Sequence, residues 1–240
     1  MPIFIALVLS TLLSLPVLSD ELLPHKAKYT AYVKKGISLN GEAIRELKQL
    51  KNGQWLYSFD VESFAADIEE STTFSYQNGH ITPHSYAYEL SPFFAPDRKR
   101  KVTFNWPKKT VESSYKKKKW TLEKILSNSQ DRLSYQLQML VDVQSGKKNM
   151  VYPIVHKGKI KDSQFRVIRE EPLQTALGTL NSILVEKVRA ETKKRKTLLW
   201  FAKDHAFLLL KMNQVEKDGD EYEINIQSAE INGVVIKASE

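Results

Sequence analysis

From about residue 26 onward the chain alternates, with apolar and aromatic side chains at every second position, the period of a strand that turns one face to a core. Trp55, Tyr57, Phe59 and Val61 share one face of such a stretch, while Leu56, Ser58 and Asp60 take the other. Tyr29, Ala31 and Val33 repeat the pattern early, and Tyr222, Ile224 and Ile226 late. Between these stretches fall Asn40-Gly41, Asn52-Gly53, Asn78-Gly79, Lys157-Gly158, Asp218-Gly219 and Asn232-Gly233. Pairs of this kind supply the positive φ of tight hairpin turns. The spacing predicts about a dozen strands, near 26–36, 41–50, 54–65, 68–77, 81–90, 98–106, 110–116, 149–156, 160–171, 181–191, 195–203, 206–216 and 221–231. So many antiparallel strands curl into a barrel or half-barrel, or split into two packed sheets. The expected class is mainly all-β: a meandering antiparallel sheet curled into a barrel or half-barrel.

One segment departs from the period of two. Over 129–145 the apolar residues Leu133, Leu137, Leu140 and Val141 recur at three and four, Ser129 or Asp131 can cap the start, and Gly146 stands where a helix stops. This predicts one amphipathic helix, packed on the sheet or plugging the mouth of a barrel. The loop over 90–97 carries Phe93 and Phe94 between Pro92 and Pro96, as a lid or a contact for a partner.

The first nineteen residues add an address. Ile3 to Leu13 is almost unbroken apolar sequence, Pro16 breaks it, and Val17-Leu18-Ser19 fits a signal peptidase site ahead of Asp20. The run is shorter than the roughly 20 residues that cross a bilayer. A cleaved export signal over 1–19 and one β-rich domain over 20–240 are therefore expected, with a periplasmic location and no transmembrane helix in the mature chain. The absence of cysteine excludes disulfides, Cys-zinc sites, a thiol nucleophile and a lipid-modified cysteine. The formal charge of +8 is concentrated in Arg98-Lys99-Arg100-Lys101, Lys116-Lys117-Lys118-Lys119, Lys193-Lys194-Arg195-Lys196 and the smaller Lys147-Lys148. Such runs either attract polyanions or act as solvated hairpin tips that protect strand edges. For an exported protein the polyanions are envelope lipids, lipopolysaccharide or acidic glycans, not nucleic acid.

Catalytic signatures are sparse. His80 and His84 have zinc-pair spacing, but Pro83 lies between them in strand-like sequence, so no metal site is expected. No nucleophile elbow, phosphate-binding glycine loop or dinucleotide fingerprint is present, and no cofactor is expected. Glu69-Glu70 and Glu170-Glu171 could supply glycosidase carboxylates, yet neighbours on a strand point to opposite faces, so neither pair is itself the couple. Asp131 and Arg132 fall at the expected helix start, where a structural cap is the simpler role for Asp131.

Several segments together carry a resemblance. They are Tyr29-Thr30-Ala31-Tyr32 with Gly36-Ile37 and Gly41-Glu42-Ala43, Ile81-Thr82-Pro83 with Tyr86 and Tyr88, and Phe104-Asn105-Trp106, followed by the block Gln130 to Gln138, Thr175 to Thr179 and Thr197 to Asp204. In order and spacing the chain resembles a family of bacterial periplasmic proteins, the domain of unknown function 3108. Its most specific parts here are Gln130 to Gln138 and Trp200 to Asp204; Asn105 stands where that family usually has Asp. The resemblance implies an exported, mostly antiparallel β protein of open or half-barrel shape, and no reaction. The expected function is non-enzymatic: binding an amphiphilic or anionic envelope component, lipid or lipopolysaccharide, on a concave aromatic face. Trp55, Tyr57, Phe59, Phe93, Phe94, Tyr135 and Trp200 are its candidate ligand residues. Arg98, Lys99, Arg100, Lys101 and Lys116, Lys117, Lys118, Lys119 are its candidate anion-binding residues. The alternative is a protein-interaction or assembly module of the envelope with a filled core, anchored by Phe93 and Phe94, and a glycan hydrolase is the third reading.

Overall fold

The structure is a computed structural model that describes residues 22–35, 37–189 and 195–237. The signal read over 1–19, and Lys193 and Lys194 of the third basic run, lie outside the described residues. The alternating stretches form β1 (His25–Lys35), β2 (Ile37–Gln49), β3 (Trp55–Ser63), β4 (Ala66–Gln77), β5 (His80–Pro92), β6 (Arg98–Asn105), β7 (Thr110–Tyr115) and β8 (Lys118–Glu123). The helix α1 (Ser134–Gln144) follows, then β9 (Asn149–His156), β10 (Lys159–Thr175), β11 (Gly178–Val188), β12 (Lys196–Ala202), β13 (Leu209–Val215), β14 (Glu221–Ile231) and β15 (Val234–Val235). All strands belong to one sheet in the order β8-β7-β6-β5-β4-β3-β2-β1-β14-β13-β12-β11-β10-β9, with β15 added to β14. Each half is a simple meander, and β14 joins the halves by pairing antiparallel with β1.

The sheet curls without closing, because the end strands β8 and β9 share no ladder. Side chains bridge the seam instead. The Trp120 indole of β8 lies on the β9–β10 turn so closely that a Cβ added at Gly158 would be 2.4 Å from Trp120 Cγ. The Lys157 ammonium stands 4.4 Å from the Tyr115 ring centroid. This is the half-barrel that the alternation predicts.

The concave face holds the core. Tyr29, Leu47, Phe74, Ile81, Tyr86 and Ile226 are fully buried and pack in one cluster with Leu133, Leu137 and Met139. Burying each large apolar side chain contributes roughly 1.5–3 kcal/mol. The helix is shorter than the predicted span and buried almost all round, Gln138 and Asp142 included, where a single apolar stripe was expected. Its place inside the mouth of the sheet explains this, since protein then surrounds it on most sides.

Residues 129–133, expected as helix, form a clamp instead. Gln130 makes a parallel bridge to Ile154 of β9, its N–H donating to Pro153 O at 2.9 Å and its carbonyl accepting from Val155 N at 2.8 Å. Across the mouth, the β5–β6 ladder covers only Ser85 to Leu90 of β5. The earlier residue Ile81 is satisfied by side-chain amides: its N–H donates to Gln138 Oε1 at 2.8 Å, and its carbonyl accepts from Gln130 Nε2 at 3.0 Å. Gln138 Nε2 also donates to Gly79 O at 3.0 Å. Two glutamines thus replace a strand backbone, as buried peptide groups require. Asp131 caps the helix start as expected: Oδ1 accepts from the N–H groups of Leu133 and Ser134, and Oδ2 from Thr72 Oγ1 at 2.7 Å.

The alternation predicts no strand between 110–116 and the helix, where Lys116 to Lys119 stand as a basic run, yet β8 forms there. The turn is Lys116-Lys117, and Lys118 and Lys119 already alternate into an edge strand with Trp120 and Leu122.

Candidate functional site

Residues directly opposite one another in an antiparallel ladder project from the same face. One such row crosses the arm of the half-barrel as Arg45, Phe59, Glu70, Tyr88, Arg100, Tyr115 and Lys118. It lies on the concave side, next to the row of Tyr57, Thr72 and Tyr86, whose side chains are core. On the facing arm Lys187 is opposite Phe165, with its ammonium 5.2 Å from that ring and 2.9 Å from Ser163 Oγ.

The concavity is therefore lined by aromatic rings and cations. Arg45 is buried, donates through Nη1 to Tyr57 Oη and Gln136 Oε1, both at 2.8 Å, and lies 4.4 Å from the Phe59 centroid. Arg100, 9% exposed, lies between the Tyr88 and Tyr115 rings at 5.0 and 5.2 Å, and its Nε has no hydrogen-bond partner. Arg189 donates to Thr197 Oγ1 at 3.1 Å and to a backbone carbonyl. Arg132 projects from the clamp and is exposed, yet its charge is felt by groups on both arms: Tyr86 and Tyr88 on one, His156 and Lys187 on the other.

The titrations record this crowding. Burial first, then Arg189, Arg195 and Arg132, push the Lys187 ammonium down to about 8. Burial, then Arg132 and Arg100, push His156 down to about 4. Arg189 is also lowered, by burial and then Arg195. Arg132 moves the other way: the protein crowded around its charged end lowers it although the side chain reaches solvent, but Glu70 and the phenols of Tyr86, Tyr135 and Tyr88 outweigh that. Glu70 accepts a 2.5 Å hydrogen bond from Tyr86 Oη, and burial raises that phenol with Glu70 adding to it.

The predicted ligand residues divide among four places. Trp55 and Tyr57 are buried in the core, and the space left beside Tyr57 under α1 is about 10 Å³, so that half of the concavity is filled. Phe59 and Tyr135 border the other half, Tyr135 stacked on Phe165 at 5.5 Å. Phe93 and Phe94 stand exposed at the rim. Trp200, itself buried, projects from the opposite face of β12 to Leu199: Leu199 is opposite Met212 and Val185 on the α1 side, whereas Trp200 is opposite Lys211 and Leu184 and donates to Glu171 Oε1 at 2.8 Å. Glu171 therefore lies on the face away from Glu70, and Glu170 pairs with Lys203 at 2.6 Å.

The predicted anion residues are also divided, because a basic run on a strand alternates. Arg98, Arg100 and Lys118 lie in the inward rows, while Lys99, Lys101 and Lys119 take the outer face. The two runs do meet. Lys116 N donates to Lys99 O at 3.1 Å, and between the turns opens a groove of about 960 Å³ lined by Pro96, Arg98, Tyr115, Lys116, Lys117, Lys118, Trp120 and Lys157. Arg45, Arg132, Lys187 and Arg189 were missed. Alternation could have placed Arg45 and Lys187 inward; nothing local marks Arg132. His80 and His84 lie on β5, where His84 Nε2 meets Ser75 Oγ at 2.7 Å, and no group of metal-binding side chains occurs among the described residues.

A family model described as "Protein of unknown function (DUF3108)" matches residues 28–226. The chain belongs to this family. The DUF3108 match takes in both arms, the clamp and the concavity between them. Among solved structures the chain is similar to a β-barrel-like protein of domain of unknown function DUF1849 from Brucella abortus, at 11% identity and TM-score 0.59, covering 88% of this chain and 98% of that one. That likeness shows the fold alone. A domain from Vibrio parahaemolyticus, described as an outer membrane lipoprotein-sorting protein domain, aligns at 12% identity over 87% of this chain and 85% of its own, with a TM-score of 0.24. No curated protein matches the chain.

Proposed function

We propose that this DUF3108 protein is a non-enzymatic, periplasmic envelope protein that binds an anionic amphiphile in the open half of its concavity. The reading rests on one observation: Arg100, Arg132, Lys187 and Arg189 border the open half of the concavity and outnumber the carboxylates that act on them, Glu70 at Arg132 and Glu216 at Arg189. Gathering cations in a partly desolvated space is unfavourable without a counter-charge. A phosphate or carboxylate head group at Arg132 supplies it, and an acyl chain finds the half-buried Phe59 and Tyr88. The groove at the mouth, with a Tyr115 and Trp120 floor and lysine walls, has the same dual character. The facing of Glu171 away from Glu70, together with the engagement of Glu170 by Lys203, favours a binder over a glycan hydrolase.

Titration calorimetry with lysophosphatidylglycerol below its micelle concentration tests the reading against zwitterionic lysophosphatidylcholine. The anionic lipid should bind more tightly, and Arg132→Gln should weaken it by about tenfold, the worth of one charge-assisted contact. Equal affinity for the two lipids, or an unaffected Arg132→Gln, would sink the proposal.

A further inference from the structure

Three phenylalanines stand in solvent at one end of the sheet. Phe64 is in the β3–β4 turn, and Phe93 and Phe94 are in the β5–β6 turn; they are 84%, 65% and 99% exposed. The pairing of Ala66 with Pro92 sets the two turns side by side, Phe93 N donates to Ala65 O at 3.2 Å, and the Phe64 and Phe93 centroids are 6.4 Å apart. Grouped exposed aromatics mark a contact surface. On the same end, Arg98 at the start of β6 and the β7–β8 and β9–β10 turns with Lys116, Lys117, Lys118 and Lys157 surround the groove, against one acidic neighbour, Asp97. Lys99 is already neutralised by Glu89 at 2.7 Å. Beyond Phe64 the surface turns acidic, with Glu42, Glu62 and Asp67, so the positive field lies to one side.

We propose that this end is a docking tip for an anionic bilayer surface, in which Phe93 and Phe94 enter the boundary between head groups and acyl chains while the neighbouring lysines meet lipid phosphates. The charge selects an anionic surface, and the acidic flank tilts the molecule toward its β6–β8 side. The side-chain types favour a bilayer over a protein partner. Lysine is depleted from protein interfaces, whereas its long stem suits a membrane interface, with the methylenes lying in the apolar layer and the ammonium among the phosphates. Protruding turn aromatics likewise match a deformable apolar layer. The tip borders the mouth of the concavity, so docking sets the groove against the lipid. This purpose rests on the amphiphile-binding reading; the docking itself does not.

Co-sedimentation with phosphatidylglycerol–phosphatidylethanolamine vesicles across a salt series provides the test, with phosphatidylcholine vesicles alongside. Binding should require the anionic lipid and weaken as salt rises. F93S/F94S should lose on the order of tenfold or more in vesicle affinity at an unchanged melting temperature. In a F94W variant, lipids brominated on the acyl chains should quench the added Trp. Arg132→Gln should leave vesicle binding intact while weakening soluble lysolipid, and F93S/F94S should do the reverse, so failure of docking and failure of the cleft are distinguishable. Undiminished vesicle binding by F93S/F94S, absence of F94W quenching, equal binding to phosphatidylcholine, or no vesicle binding at low salt, the result if a protein covers this end, would each overturn the proposal.

Discussion

Replacing Lys187 by Met should stabilise the fold and weaken ligand binding, two effects of opposite sign from one side chain. The ammonium is displaced from 10.5 to about 8 by burial and by Arg189, Arg195 and Arg132. At about 1.36 kcal/mol per tenfold change in proton affinity, the displacement corresponds to about 3 kcal/mol against the charged form. Partial exposure reduces this to about half, and losing the hydrogen bond to Ser163 Oγ returns about 1 kcal/mol. Methionine retains the packing on Phe165, so Lys187→Met should gain about 0.5–1 kcal/mol near neutral pH, seen as a rise of a few degrees in melting temperature. The pH dependence gives the sharper readout. Because the folded pKa lies below the unfolded one, the unfolded chain holds the extra proton between pH 8 and 10.5, and wild-type stability rises with pH across that window. The advantage of the variant should therefore shrink from pH 7 to pH 10 in paired urea titrations, while its affinity for lysophosphatidylglycerol at pH 7 falls by about fivefold or more. A variant less stable than the parent by more than about 1 kcal/mol, or an advantage independent of pH, would refute the electrostatic reasoning.

Asp131 has the opposite sign. Burial raises its carboxyl from 3.8 to about 6 against the opposing hydrogen bonds, so its contribution is complete below pH 3.8 and is lost as pH rises through 6. In thermal melts between pH 4 and 7, Asp131→Asn should lose less stability with rising pH than the parent, whereas Asp131→Ala, which strands the Leu133 and Ser134 amides and the Thr72 hydroxyl, should cost about 2–3 kcal/mol near pH 4 and less as pH rises through 6; parallel wild-type and Asn profiles would contradict this. Gly158→Ala forces a Cβ into the Trp120 ring at a φ of +71° and should cost about 2 kcal/mol. Hydrogen exchange should locate that loss at β7, β8 and the β9–β10 turn, and an effect spread evenly over the sheet would show that the seam is not held there.

Period-two alternation made most of the fold legible before any coordinate, because strand faces and Gly-containing turns are local properties. Its failures were local as well. The polar character of Lys116 to Lys119 concealed β8, whose only apolar residues are Trp120 and Leu122. Gln130 was drawn into a helix because nothing in Gln130-Asp131-Arg132 reveals that the first residue pairs with a strand 24 positions later. The site was less legible for the same reason. Trp200 has the composition of a ligand contact, but its face depends on β12's register against β11 and β13, a non-local quantity that reverses with a slip of one residue. Arg100 shows the converse: it read as part of a surface run and is buried between two tyrosines.

The open seam and the cationic lining are physically linked. Had β8 paired with β9, the barrel would enclose Arg100, Arg132 and Lys187 in a dry interior, where uncompensated charges cost several kcal/mol each. The clamp avoids this by dividing the concavity: Gln130 and Gln138 satisfy β5 and β9 at one end, and Leu133 with Leu137 and Leu140 of α1 fills the space above them. The other end is left to water, Arg132 and the groove. Hydrophobic closure thus stabilises the half beneath the helix, while the cations of the other half remain solvated enough to persist and crowded enough to favour an anion. The block Gln130 to Gln138 therefore acts on both halves, because the same turn that seals the dry one positions Arg132 in the wet one.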